Sequence, residues 1–174
     1  FNSNGIDLVD NSSFQYCYGY AIVSDGNEMY TGMEIGSGKM KDFDKTAIAK
    51  EAVKDAIDTI GYTSVDSGEY TIVFSNKVMS SLLSTYSSVF SAEAAQKGLS
   101  LLKDKEGEIV ASEIVTLTDD PLYETALSKA TFDDEGAATY AKNVIENGKF
   151  TTFLHNLATA AKAGVKTTGN GYKA

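Results

Sequence analysis

From Phe14 to Tyr20 every second residue is aromatic: Phe14, Tyr16, Tyr18 and Tyr20 alternate with Gln15, Cys17 and Gly19. A repeat of two sets these rings on one face of an extended strand and would scatter them around a helix, so the stretch predicts a strand. Asp25-Gly26-Asn27 supplies turn chemistry and 28–35 resumes the extended pattern, which makes 14–35 a hairpin ended by Gly36-Ser37-Gly38. The period then changes. Ile48, Ala52, Val53, Ala56, Ile57 and Ile60 fall at helical spacing, with Lys50, Glu51, Lys54 and Asp55 on the other side. Asp42 or Asp44 can cap this helix, and Gly61 can close it.

Downstream, 69–74 reads as a short apolar strand, and Asn76 as the cap of a second helix running through Val78, Met79, Leu82 and Leu83 towards Phe90. Gly98 interrupts 91–102, and 103–108 is a charged loop. Residues 109–118 are strand-like up to Asp119-Asp120-Pro121, where the single proline opposes continuation of a central strand. After an irregular loop over 122–131, a strand pattern follows Phe132-Asp133-Asp134-Glu135-Gly136 as far as Glu146 and turns at Asn147-Gly148, the strongest hairpin dipeptide of the chain. A return strand over 149–154 leads to a helix over 156–163 closed by Gly164, and 167–171 is loop. Helix and strand are interspersed and hairpins outnumber crossovers. The expected fold is α+β, a mixed or largely antiparallel sheet with packed helices.

Charge and composition remove several functions. The 174 residues carry 24 acidic and 15 basic side chains, a formal charge of −9, and the basic ones are all lysine. Direct nucleic-acid binding is therefore not expected, because little counterion would be released, and without arginine no bidentate clamp on phosphate exists. No apolar stretch reaches the ~20 residues of a membrane span, and no charged-then-apolar secretory leader opens the chain. Cys17 stands alone, which agrees with a reducing cytoplasm. The first residue is Phe1 rather than methionine, as in a processed product or a piece of a longer polypeptide.

Motif by motif, chemistry is thin. Gly36-Ser37-Gly38-Lys39 lacks the earlier glycine and the trailing Ser/Thr of a phosphate-binding loop. His155 is the only histidine and Cys17 the only thiol, too few for a zinc site built on nitrogen and sulfur; His155 reads as a residue where strand hands over to helix, and Cys17 as a small buried hydrophobe. Asp119-Asp120 and Asp133-Asp134-Glu135 could serve acid–base work or hold a hard cation, but aspartates at strand ends are favoured as caps. A serine-rich helix (Ser80, Ser81, Ser84, Ser87, Ser88) suggests a nucleophile, with Lys77 beside Ser81 as the formal base, against the simpler reading of a polar face.

One ordered series carries more. Phe132-Asp133-Asp134-Glu135-Gly136, then Glu146-Asn147-Gly148, then Thr168-Gly169-Asn170 resemble the "FDDEG", "ENG" and "TGN" elements of the TldD/PmbA family, historically called modulators of DNA gyrase. Residues 115–121 resemble the family's "vDDP" strand end, and Gly68-Glu69-Tyr70 its lead-in to a central helix. In TldD-like members that helix holds an HExxxH motif whose histidines bind zinc and whose glutamate acts as base, the metal lowering the pKa of its water. Here Ser84 and Val89 stand at the histidine positions and Thr85 at that of the glutamate. Hydroxyls and an aliphatic group do not replace imidazoles. The resemblance therefore points to the PmbA/TldE-like branch: no catalytic or metal residue of its own, and zinc expected only in a TldD-like partner with which it encloses unfolded peptides. It also implies that 1–62 is the end of an N-terminal region, that 63–174 starts the central and C-terminal domain, and that Phe132, Asp133, Asp134, Glu135, Gly136, Asn147, Gly148, Gly169 and Asn170 are signature positions. Two readings stay open beside it. One is a stand-alone module that captures extended peptides on a strand edge; the other is an enzyme using Ser81, Ser84 or Asp133.

Overall fold

The computed structural model describes residues 1–11, 13–38, 40–126 and 128–173. Lys39 of the glycine-rich run and Leu127 of the 122–131 loop lie outside these described residues. The fold is α+β, and it divides into two compact units.

One unit comprises Ser12–Thr71 with Thr125–Ser128. Strands β1 (Tyr16–Asp25) and β2 (Glu28–Ser37) form the expected antiparallel hairpin around Asp25-Gly26-Asn27, in register from Tyr16 opposite Ser37 to Asp25 opposite Glu28. Helix α1 (Lys45–Asp58) covers one face; its cap is Asp44, whose carboxylate accepts from the Thr46 and Ala47 amides at 3.0 and 2.9 Å. The covered face is the one with the small residues. A Cβ built on Gly32 would meet Ala52 O at 2.2 Å and Ala56 N at 2.4 Å, so glycine there lets the helix backbone lie against the sheet. Ile48, Ala52 and Ala56 are buried by this approach, while Val53 and Ile57 stay exposed, so the apolar stripe that packs is narrower than its sequence pattern. The aromatic face, Tyr16, Tyr18, Tyr20 and Ile22 beside Met29, Met33 and Ile35, remains exposed. Cys17 is half-buried rather than buried. Helix α1 ends at Asp58 on a Thr59 cap, with Gly61 two residues further on.

The other unit comprises Phe1–Asn11, Ile72–Glu124 and Lys129–Ala174. It contains helix α2 (Asn76–Tyr86), a 3-10 turn over Ser87–Phe90, helix α3 (Ala92–Gln96), strands β3 (Leu117–Asp119), β4 (Lys142–Glu146) and β5 (Lys149–Phe150), and helix α4 (Leu157–Ala163). The strands order β3-β4-β5, antiparallel throughout. Phe150, Val144, Ile145, Phe153, Ala92 and Ala95 form its core, with the Phe150 and Phe153 rings edge-to-face at 4.7 Å.

Several expected strands are shorter, for one reason: an apolar run becomes a strand only where a neighbour offers its backbone. Residues 69–74 pair with no strand among the described residues; Tyr70 instead donates its hydroxyl to Asp66 O. Most of 109–118 wraps the Asn147-Gly148 turn, Val110 N and Ala111 N both donating to Gly148 O and Gly148 N to Val115 O, which leaves only Leu117–Asp119 as strand. Of the expected 149–154 strand, Leu154 makes a separate bridge to Ser91. Ser75, not Asn76, caps α2. Helix α4 has the expected ends, Asn156 in a capping box with Thr159 and Gly164 in the left-handed conformation at φ 71°.

Candidate functional site

Helix α2 is the place to test for a metal centre. Ser84 and Thr85 sit in its last turn and are exposed; Val89 lies beyond its end, half-buried in the 3-10 turn. Thr85 Oγ1 donates to Ser81 O at 2.8 Å and Ser87 Oγ, just past the helix, to Ser84 O at 2.9 Å, so helix carbonyls engage both hydroxyls. Two neutral hydroxyls and an isopropyl group offer no imidazole or thiolate donor, and they do not fit zinc. Among the described residues no group of three or more His, Cys, Asp or Glu side chains could hold a metal ion. Ser81 and Lys77 lie on the same exposed surface of α2.

The acidic motifs converge elsewhere, in one polar network of the second unit. Asp133 is 1% exposed; its Oδ1 accepts from the Glu135 and Ala137 amides at 3.0 and 2.9 Å, and its Oδ2 from Gly171 N at 2.7 Å. Asp134 Oδ2 accepts from Lys173 N, and Glu135 Oε2 from Leu157 N, the first amide of α4. A carboxylate at that amide satisfies one of the donors a helix start leaves open. Asp119 Oδ2 receives both the nearly buried Lys142 ammonium at 2.8 Å and Asn170 Nδ2 at 2.9 Å. Asn170 Oδ1 in turn accepts from Thr168 Oγ1 at 2.8 Å, and Thr168 Oγ1 accepts from His155 N at 2.6 Å. The His155 carbonyl accepts from Thr168 N, Asn170 N and Thr167 Oγ1. The "FDDEG", "vDDP" and "TGN" positions thus pin one another, and they pin the backbone of His155. Tyr172 lies beside this network; burial, then the charges of Asp119, Asp133 and Asp134, push its phenol above the usual range.

Asp119 receives the side-chain donors of Lys142 and Asn170, whereas Asp133 and Asp134 act as backbone caps, as the strand-end reading favoured. Asp120 likewise turns its carboxylate onto Leu122 N at 3.0 Å. Asn147 and Gly148 form the turn between β4 and β5 at φ 49° and 79°, the twist a two-residue hairpin needs. Gly136 and Gly169 take φ values of 78° and 71° in the loops that hold Asp133 and Asn170.

His155 has a second property that sequence alone did not reveal. It is 5% exposed, and its Nδ1 is buried without a hydrogen-bond partner among the described residues. An unpaired polar atom of this kind costs about 1–3 kcal/mol. The ring lines a cavity of about 250 Å³ together with Ala92 and Ala95 of α3, Gln96 and Phe153. Gln96 is already engaged, donating to Thr159 O at 2.8 Å.

Known families can now be compared with this arrangement. The profile of the PmbA/TldA metallopeptidase C-terminal domain matches residues 67–174, and that of the central domain of the same proteins matches residues 1–60. The chain belongs to the PmbA/TldD family. An uncharacterised protein of Methanocaldococcus jannaschii is 31% identical over 97% of the chain and 39% of its own length. Among solved structures, a Thermotoga maritima protein named as a suggested modulator of a DNA gyrase superposes with a TM-score of 0.84 at 39% identity, over 90% of this chain and 37% of that one. TldE from Thermococcus kodakarensis superposes with a TM-score of 0.79 at 26% identity, over 100% and 40%. The chain therefore spans about two fifths of the length of these PmbA/TldD relatives.

Proposed function

We propose that this PmbA/TldD-family chain is a non-catalytic, TldE-like portion of a heteromeric metalloprotease acting on unfolded peptides, with the hydrolytic zinc carried by a TldD-like partner. The observation that carries the reading is the donor set on α2 and the turn after it: Ser84, Thr85 and Val89 at the positions of the family's HExxxH. Without nitrogen ligands a zinc-bound water cannot be activated there. The similarity to TldE over the whole chain supports the same branch. In this reading the chain falls into a region over 1–62 and a second over 63–174, works in the cytoplasm, and binds neither nucleic acid nor membrane. No helix among the described residues is long and apolar enough to cross a bilayer.

The test combines metal analysis of the purified chain with cleavage of an unfolded protein substrate, alone and with a TldD-like partner bearing HExxxH. Cleavage only in the mixture, with zinc on the partner, is the expected result. One tightly held zinc per chain, or cleavage by the chain alone, overturns the reading.

A stand-alone peptide-binding module is the second reading, favoured by one observation. The β1–β2 sheet has two strands, so the outer edge of each has no strand partner among the described residues. An extended peptide could add to either edge through its backbone. Peptide binding without any association with a TldD-like protein would select this alternative.

A further inference from the structure

We propose that the cavity beside His155 binds a primary ammonium group on a short apolar stem, the chemistry offered by the amino end of a peptide or by a lysine side chain. It rests on the peptide-handling reading only for its choice of source.

Three features of the lining carry it. The charged part consists of Asp104 and Glu106 against the single cation Lys103, so carboxylates prevail. Glu106 Oε1 is held by Phe153 N at 3.1 Å, which fixes that carboxylate on the cavity wall. Asp104 is held in the left-handed region at φ 63°, a conformation that few residues except glycine, asparagine and aspartate adopt readily. The apolar part, Ala92, Ala95 and the Phe153 ring, suits an alkyl stem and presents no charge to it.

The remaining feature is the imidazole. His155 Nδ1 has no hydrogen-bond partner among the described residues, although the backbone of the same residue is tied to Thr167, Thr168 and Asn170. His155 lines the cavity, and a ring orientation that presents Nδ1 to it lets that nitrogen accept a hydrogen bond from the ammonium. Two of the three ammonium hydrogens then go to Asp104 and Glu106 and the third to the ring, which satisfies every donor.

His155 is the only histidine, so its ring nitrogens can be read without ambiguity from long-range proton–nitrogen correlations of the labelled 174-residue chain. The probes are trialanine, N-acetyl-trialanine and Nα-acetyl-lysine methylamide, near neutral pH. A saturable shift of Nδ1 with trialanine, with the lysine derivative, or with both is expected, and the responding probe identifies the source. The double variant D104N/E106Q should weaken binding by at least roughly threefold to fivefold. Asparagine keeps the left-handed backbone at 104, and glutamine keeps an acceptor for Phe153 N. Equal shifts with N-acetyl-trialanine, no shift with any probe, or undiminished binding by the folded double variant overturns the proposal. If that variant does not fold, the contrast between the two free-amine probes and N-acetyl-trialanine on the unaltered chain decides. None of these outcomes alters the result of the zinc and partner test.

Discussion

Asp133 holds three backbone amides from two separate segments with one carboxylate, so its two oxygens have no capacity for a donor in place of an acceptor. Changing Asp133→Asn puts an NH2 group against at least one of those N–H groups and removes charge-assisted bonds. A loss of about 3 kcal/mol is expected in denaturant unfolding; a change within the usual scatter of surface substitutions, ~0.5 kcal/mol, would show that the residue is not a staple. Tyr172 gives a test by pH. Its phenol ionises later in the folded chain than in the unfolded one, so its contribution is intact below the ordinary tyrosine pKa of ~10 and is lost as pH rises through the higher folded value. Tyr172→Phe should therefore show a shallower fall of stability above about pH 10 than the unaltered chain, with no difference at neutral pH. The signature residues were visible as motifs because their types and order are local facts. Their roles were not, since Asp119 meets Asn170 across 51 positions and Asp133 meets Gly171 across 38.

At the level of elements, local chemistry was the more legible part. The capping box at Asn156, the left-handed Gly164, the cap at Asp44 and the turn at Asn147-Gly148 each depend on a few neighbouring residues, and each forms where its residues stand. Strands were less legible because pairing is supplied from elsewhere in the chain: 69–74 has a strand's composition and no ladder among the described residues, and 109–118 binds the Asn147-Gly148 turn through Val110 N, Ala111 N and Val115 O. The packing of α1 against the hairpin predicts a sharp positional effect. Gly32→Ala drives a methyl into the helix backbone at Ala52 and Ala56 and should cost at least about 3 kcal/mol, whereas Gly26→Ala meets no neighbouring atom and should cost less, through its positive φ alone. Thermal unfolding of the two variants separates the effects; equal shifts would show that close approach is not what glycine at 32 provides.

At the scale of the whole molecule, the uncovered face of the β1–β2 hairpin is a broad apolar feature, where Tyr16, Tyr18, Tyr20 and Ile22 are each more than half exposed. A contiguous patch of this kind marks an association surface more often than it stabilises an isolated chain. Replacing Tyr20 by lysine should change the unfolding free energy by less than about 0.5 kcal/mol while reducing binding of an apolar dye and self-association in sedimentation. A large loss of stability would show that the face is buried in the folded chain. The order of residue types settled, without any coordinates, the hairpin, the main helices and the family, because these follow from periodicity, capping and short motifs within a few residues. Only tertiary structure decided which face of the hairpin packs, that Asp133, Asp134 and Glu135 serve as backbone staples, and that His155 Nδ1 stands beside a cavity without a hydrogen-bond partner among the described residues. Those outcomes depend on which distant groups arrive within hydrogen-bond reach, and no short window of sequence contains both partners.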